Sequence, residues 1–198
     1  PKYVAAINNR GIALAELGNT DDALEYYDKA IDIDPKYAAA HYNKGVLYDK
    51  MLQHEEAIQS LDEALKCDSG NVNTAFYKGI VLGKMKKHEE ALNCFENIYR
   101  KHPKHMDAFF HKGMELAELG KHERALEIFD KLFQIHEGNV NVIYAMARSN
   151  AAIDNVGKAL YLLEQAVKKD RKTIKKWALE DEFFDSLRDE PEFRKLIM

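Results

Sequence analysis

Eight histidines, two cysteines and 33 aspartates and glutamates are the residues of this chain that could bind a metal or carry catalysis. Their spacing decides what they do. His54, His88 and His122 recur at an interval of 34 residues. They therefore read as one turn residue repeated, not as ligands converging on an ion. His102 and His105 bracket Pro103. Two ligands on a loop fall short of the three or four protein ligands of a zinc centre. Cys67 and Cys94 lack metal-site spacing and suit free thiols in a reducing compartment. Carboxylates come in pairs such as Glu55-Glu56 and Glu89-Glu90, which suit solvated helix faces. No glycine-rich phosphate loop and no Gly-x-Ser-x-Gly elbow occurs. The expectation is a chain without metal, cofactor or catalytic residues, and so not an enzyme.

Charge and composition narrow the partners. The net charge of −4 weighs against nucleic acid, which asks for a basic face. No apolar run approaches the roughly 20 residues that span a bilayer, which argues against a membrane partner. With 46% apolar and 31% charged residues the chain has the composition of a packed protein, not a disordered one. The opening PKYVAAINNR has no basic segment followed by an apolar core. With the free thiols, that leads to the expectation of a cytoplasmic protein. Lys168, Lys169, Arg171, Lys172, Lys175 and Lys176 form one basic run. It reads as a solvated helix end, with an acidic partner or pairing to Glu180, Asp181 and Glu182 as the alternative.

The elements that must position any site come from a repeat. PKYVAA at Pro1 returns as PKYAAA at Pro35, an offset of 34 residues. The same offset carries Asn9-Arg10-Gly11 onto Asn43-Lys44-Gly45, Tyr77-Lys78-Gly79 and His111-Lys112-Gly113. It carries Asp22-Ala23-Leu24 onto Glu56-Ala57-Ile58 and onward to Lys158-Ala159-Leu160. Five repeats follow, starting near residues 4, 38, 72, 106 and 140. Each reads as two amphipathic helices. A glycine breaks the pair in repeats one and four (Gly18, Gly120). Leu52, Lys86 and Asp154 stand there in the others, so those turns are expected to lean on other residues.

Small residues mark where helices meet. Gly11, Gly45, Gly79, Gly113 and Ala147 fall mid-helix, where glycine costs about 1 kcal/mol relative to alanine. A close neighbour explains that cost. Ala23, Ala57, Ala91, Ala125 and Ala159 are the counterparts on the second helix. Tyr27, Leu61, Phe95, Phe129 and Leu163 fill the space one turn on. One such pair cannot bury its apolar face alone, so each repeat must stack on the next.

This pattern resembles the tetratricopeptide repeat, with glycine or alanine at position 8, alanine at position 20 and an aromatic or leucine at position 24. It departs at position 27, where Ile98 and Leu132 replace a small residue. It departs again at position 32, where only Pro35 and Pro103 keep the proline. The resemblance implies an all-α, right-handed superhelical solenoid of antiparallel helix pairs. The array would occupy residues 1–173 and a C-terminal helical cap residues 174–198. Pro1-Lys2-Tyr3 reads as the tail of a preceding repeat, and thus as a piece of a longer array. Asp181 falls where a sixth repeat needs a small residue. Phe183, Phe184, Leu187, Phe193, Leu196 and Ile197 would instead cover the end of repeat five, with Asp189-Glu190-Pro191-Glu192 starting a helix. Similar endings close many prokaryotic arrays, which implies an archaeal or bacterial source.

The resemblance also implies a binding face. First helices line a concave groove in this family, through positions 2, 5, 6, 9, 12 and 13. The candidate groove residues here are Asn9, Tyr42, Asn43, Phe76, Tyr77, Phe110, His111, Met114, Tyr144 and Arg148. Aromatic rings on a concave surface are the usual material of binding hot spots, although the same rings also serve packing. Asn9 and Asn43 suit hydrogen bonds to an extended peptide. A carboxylate clamp needs fixed cations, and of its positions only Asn43 matches, so that mode is not expected. The expected function is a scaffold or adaptor that holds a protein or peptide with apolar or aromatic anchors. The competing reading is a self-associating or regulatory module of a larger protein, a homo-oligomer among its forms.

Overall fold

Helix after helix starts where the period places it. A computed structural model describes residues 2–197, so Pro1 of the expected preceding tail, and Met198, lie outside the described residues. The order is α1 (Lys2–Glu16), α2 (Thr20–Ile33), α3 (Ala38–Lys50), α4 (His54–Cys67), α5 (Val72–Lys84) and α6 (His88–Lys101). Next come α7 (Met106–Glu118), α8 (His122–Ile135), α9 (Val140–Ala152), α10 (Val156–Lys169) and α11 (Arg171–Glu180). A 3-10 stretch (Glu182–Leu187) and α12 (Pro191–Ile197) close the chain. The fold is all-α, consecutive helix pairs packed as a tetratricopeptide-type solenoid. It divides into two compact halves between Ile98 and Tyr99.

In the first half, the mid-helix glycines face the large residue at position 24. A methyl added to Gly79 would stand 2.7 Å from Phe95 Cζ, and one on Gly11 2.6 Å from Tyr27 Cε1. Ala23, Ala57 and Ala91 are fully buried beside these contacts. Repeats join through small residues: Ala30 of α2 packs with Val4 of α1 and Ala40 of α3. Ala57 and Leu61 of α4 pack with Val81 of α5.

The turns inside the pairs repeat one backbone. Gly18 and Gly120 have φ of 82° and 71°, and Leu52, Lys86 and Asp154 take 62°, 58° and 57°. In every case the next amide donates five residues back, as Gln53 does to Tyr48 O at 2.9 Å and Lys87 to Leu82 O at 2.9 Å. This is the Schellman helix ending. The expectation that glycine-free turns lean on other residues is therefore corrected. They keep the left-handed geometry and bear its steric cost, because the hydrogen bonds and the packed helices on either side fix it.

The second half uses the same contacts, with Gly113 against Phe129 and Ala147 on the buried side of α9. Its last elements bury Ile174, Ala178, Phe184, Leu187, Phe193 and Ile197. Asn139 caps α9 by accepting from the Val142 amide at 3.3 Å, and Asp170 caps α11 by accepting from Thr173 at 3.1 Å. α11 stops at Asp181, whose Oδ1 accepts from the Phe183 amide at 3.1 Å and opens the 3-10 stretch.

Candidate functional site

In the first half, the predicted residues largely satisfy one another. Asn43 Nδ2 donates to Asn8 Oδ1 at 2.9 Å, so its amide is engaged. Tyr42 meets Tyr77 edge to face, with centroids 6.0 Å apart. The Tyr77 hydroxyl donates to Asp49 Oδ2 at 2.6 Å, where Lys84 Nζ also donates at 2.6 Å. Asp49 stands at position 12 of its repeat, one of the positions expected to face the groove. Burial pushes its pKa up, but the bonds from Lys84 and Tyr77 outweigh that and hold the carboxyl below its ordinary range. Phe76 sits edge-on against the buried Phe95 at 5.5 Å. Asn9 is exposed. Tyr42 also lines a cavity of about 480 Å³ with Asn71, Asn73 and Thr74.

The second half brings five predicted residues to one place. Phe110, His111 and Met114 of α7 and Tyr144 and Arg148 of α9 line a cavity of about 660 Å³. Asn141, Ala145, Trp177, Glu180, Asp181 and Glu182 complete it. That volume lies within the range of ordinary ligand pockets. Phe110 leans on the core ring of Phe129 at 5.8 Å, which fixes it from behind. Burial lowers the pKa of His111 below the ordinary 6.5, with Asp107 opposing, so the imidazole is neutral at neutral pH.

Two of these residues are engaged within the protein. Tyr144 does not project freely: it is 7% exposed, its hydroxyl donates to Asp181 Oδ2 at 2.8 Å, and Trp177 and Phe184 flank its ring. Burial and the neighbouring carboxylate push its phenol well above the ordinary range. Arg148 is not a free cation. Its Nη2 lies 2.9 Å from Glu118 Oε1, its Nε 2.6 Å from Asp181 Oδ2, and its guanidinium 4.4 Å from the centre of the Phe183 ring. Asp181 thus pairs with Arg148, not with the basic run that the sequence offered as its alternative partner.

Trp177 was missed as a lining residue because it stands at position 4 of a sixth period, outside the positions expected to face the groove. The signal was its place one helical turn ahead of Asp181. Among the described residues no cluster of three or more metal-ligating side chains occurs, and no helix is long and apolar enough to cross a membrane.

Comparison with known proteins agrees with the fold. Tetratricopeptide repeat models match residues 4–37, 26–59 and 78–139. No curated protein matches the chain. Among solved structures, YrrB, a tetratricopeptide repeat protein with an unusual peptide-binding site, is 26% identical, with a TM-score of 0.73. The match covers 88% of this chain and 91% of YrrB. MamA from Desulfovibrio magneticus is 18% identical with a TM-score of 0.78, over 86% of this chain and 97% of that one. A tetratricopeptide repeat protein from Parabacteroides merdae is 16% identical with a TM-score of 0.82, over 93% and 73%. The last two share the fold alone.

Proposed function

This chain belongs to the tetratricopeptide repeat family, and from that premise we propose that it is an interaction scaffold whose second half holds a peptide segment of another protein. The observation that carries this reading is the cavity of about 660 Å³ lined by Phe110, Met114, Tyr144 and Trp177. Phe110 and Met114 are half-buried and Trp177 is 39% exposed, so apolar surface remains for a partner to cover. The rings are held from behind by packing, which limits the ordering cost of binding. YrrB, the 26% identical relative, has a peptide-binding site of its own, which favours a peptide here too.

Trp177 is the only tryptophan, so its emission reports on this groove. The test is a titration with a synthetic library of short peptides, each fixed for one central phenylalanine or leucine and randomised elsewhere. The retained pool should shift Trp177 emission saturably. A library that is not retained, or is retained without touching Trp177, contradicts the reading.

A further inference from the structure

The charges around the cavity narrow the kind of peptide, an inference that rests on the groove reading above. Four charged side chains line the cavity: Arg148 against Glu180, Asp181 and Glu182. Arg148 and Asp181 neutralise each other at 2.6 Å, and Glu118 takes a further nitrogen of the guanidinium. His111 is kept neutral by burial. Glu180 and Glu182 remain. Both are exposed, and neither makes a hydrogen bond or ion pair with any described residue. Lys172, Lys175 and Lys176 line none of the cavity. The groove is thus an apolar floor with two unspent carboxylates on its rim and no unspent cation.

We propose that its occupant is a basic peptide, an aromatic or long aliphatic anchor with arginine or lysine within a few residues of it. The anchor would cover Phe110, Met114 and Trp177, and the cation would reach Glu180 or Glu182. An arginine has two uses here, because Trp177 lies one helical turn before Glu180 and its face can take a guanidinium. A segment that ends in a free carboxylate or carries a phosphate meets no unpaired cation in the cavity, only the carboxylates of Glu180 and Glu182. Exposed ion pairs are weak, so the rim supplies selectivity and the apolar floor most of the affinity.

The test uses the same library and the full chain, comparing the unaltered protein with Glu180→Gln/Glu182→Gln. Both positions are exposed and their side chains make no hydrogen bond or ion pair with a described residue, so the fold should persist, as circular dichroism will check. The retained pool should be enriched in arginine and lysine beside the anchor by roughly threefold to tenfold at low salt. That enrichment should fall toward unity in the double variant and at about 0.5 M salt. Retention of the phenylalanine- and leucine-centred peptides should survive both changes. A retained pool of neutral or acidic composition overturns this inference and leaves the groove standing. So does basic enrichment that persists in the double variant. Basic peptides held without a Trp177 response would mean diffuse attraction to an acidic protein, which also overturns it. If no pool is retained, both readings fall together.

Discussion

Arg148 Nε lies 2.6 Å from Asp181 Oδ2, which ties α9 to the residue where α11 ends. The same carboxyl accepts from the Tyr144 hydroxyl and the Phe183 amide. The two ion-paired side chains are only 13% and 11% exposed, so water screens them little. Asp181→Ala would leave Arg148 with Glu118 alone and Tyr144 without a partner. The expected cost is about 1–3 kcal/mol, which lowers the melting temperature by roughly 2–12 °C in a chain of this size. Asp181→Asn keeps an acceptor for Tyr144 and should lose less. Equal melting temperatures for all three proteins would show that the clasp contributes nothing.

The five intrahelical-pair turns offer a second measurement. Leu52 and Lys86 hold φ near 60° although they carry a Cβ. That conformation costs an L-residue roughly 1–2 kcal/mol and glycine almost none. Leu52→Gly and Lys86→Gly should therefore stabilise by about 1 kcal/mol each, after glycine's greater freedom in the unfolded chain is subtracted. Gly18→Ala should destabilise by a similar amount. Denaturant midpoints read both signs. Loss of stability in Leu52→Gly would mean that its side chain, 78% exposed, contributes packing that its accessibility denies.

The fold was legible because its contacts are local and repeated. Glycine at position 8 and an aromatic or leucine at position 24 each report the same helix contact several times. The turns at Leu52, Lys86 and Asp154 were not legible, since nothing in those residue types asks for positive φ and only the surrounding helices impose it. The groove was half legible. Phe110, His111 and Met114 follow from position alone. Trp177 and the Arg148–Asp181 pair do not, because they arise where the sixth period breaks and positional rules stop. The positions also could not separate Tyr144, turned inward by Asp181, from Phe110, which stays half-buried at the cavity.

Gly79 and Phe95 test the packing rule. A Cβ at Gly79 would sit 2.7 Å from the ring of Phe95, which is fully buried and has little room to move. Gly79→Ala should destabilise by ~1–3 kcal/mol, even though alanine is the better helix former by about 1 kcal/mol. Repeat five already pairs Ala147 with Leu163 at the equivalent places, both fully buried. Gly79→Ala/Phe95→Leu should thus cost less than the sum of its single changes. Additive costs in a double-mutant cycle would deny the contact.

Acid should weaken the protein before its carboxylates titrate. Burial lowers the pKa of His111 below 6.5, with Asp107 opposing. Burial also lowers His122, with Glu123 and Glu118 opposing and Arg148 reinforcing. The unfolded chain takes up these protons at 6.5, the folded one only at lower pH. Their stabilisation is complete above 6.5 and is lost as pH falls through the folded values. Asp49 is lowered from 3.8, so its contribution fails only below that pH and adds no slope here. Melting temperature should fall between about pH 7.5 and about pH 5.5. His111→Gln/His122→Gln should flatten the decline, and an unchanged slope would exclude both imidazoles as its source.

The last prediction separates the two halves as binding surfaces. Phe76 and Phe110 occupy the same position in repeats three and four, and each leans on a core ring, Phe95 or Phe129. Only Phe110 lines the cavity that contains Trp177. Both alanine variants remove a partly buried ring, so both should lose stability to a similar degree, by about 2–4 kcal/mol. Binding should not follow stability. An aromatic anchor contributes about 2 kcal/mol or more at an interface, so Phe110→Ala should weaken peptide retention by roughly 30-fold. Met114→Ala should add to that loss. Phe76→Ala should retain peptide with near-normal affinity at a temperature where it remains folded. The measurement is a Trp177 emission titration, with melting curves run alongside. If Phe76→Ala abolishes retention while Phe110→Ala leaves it intact, the binding surface lies in the first half, around Tyr42 and Tyr77.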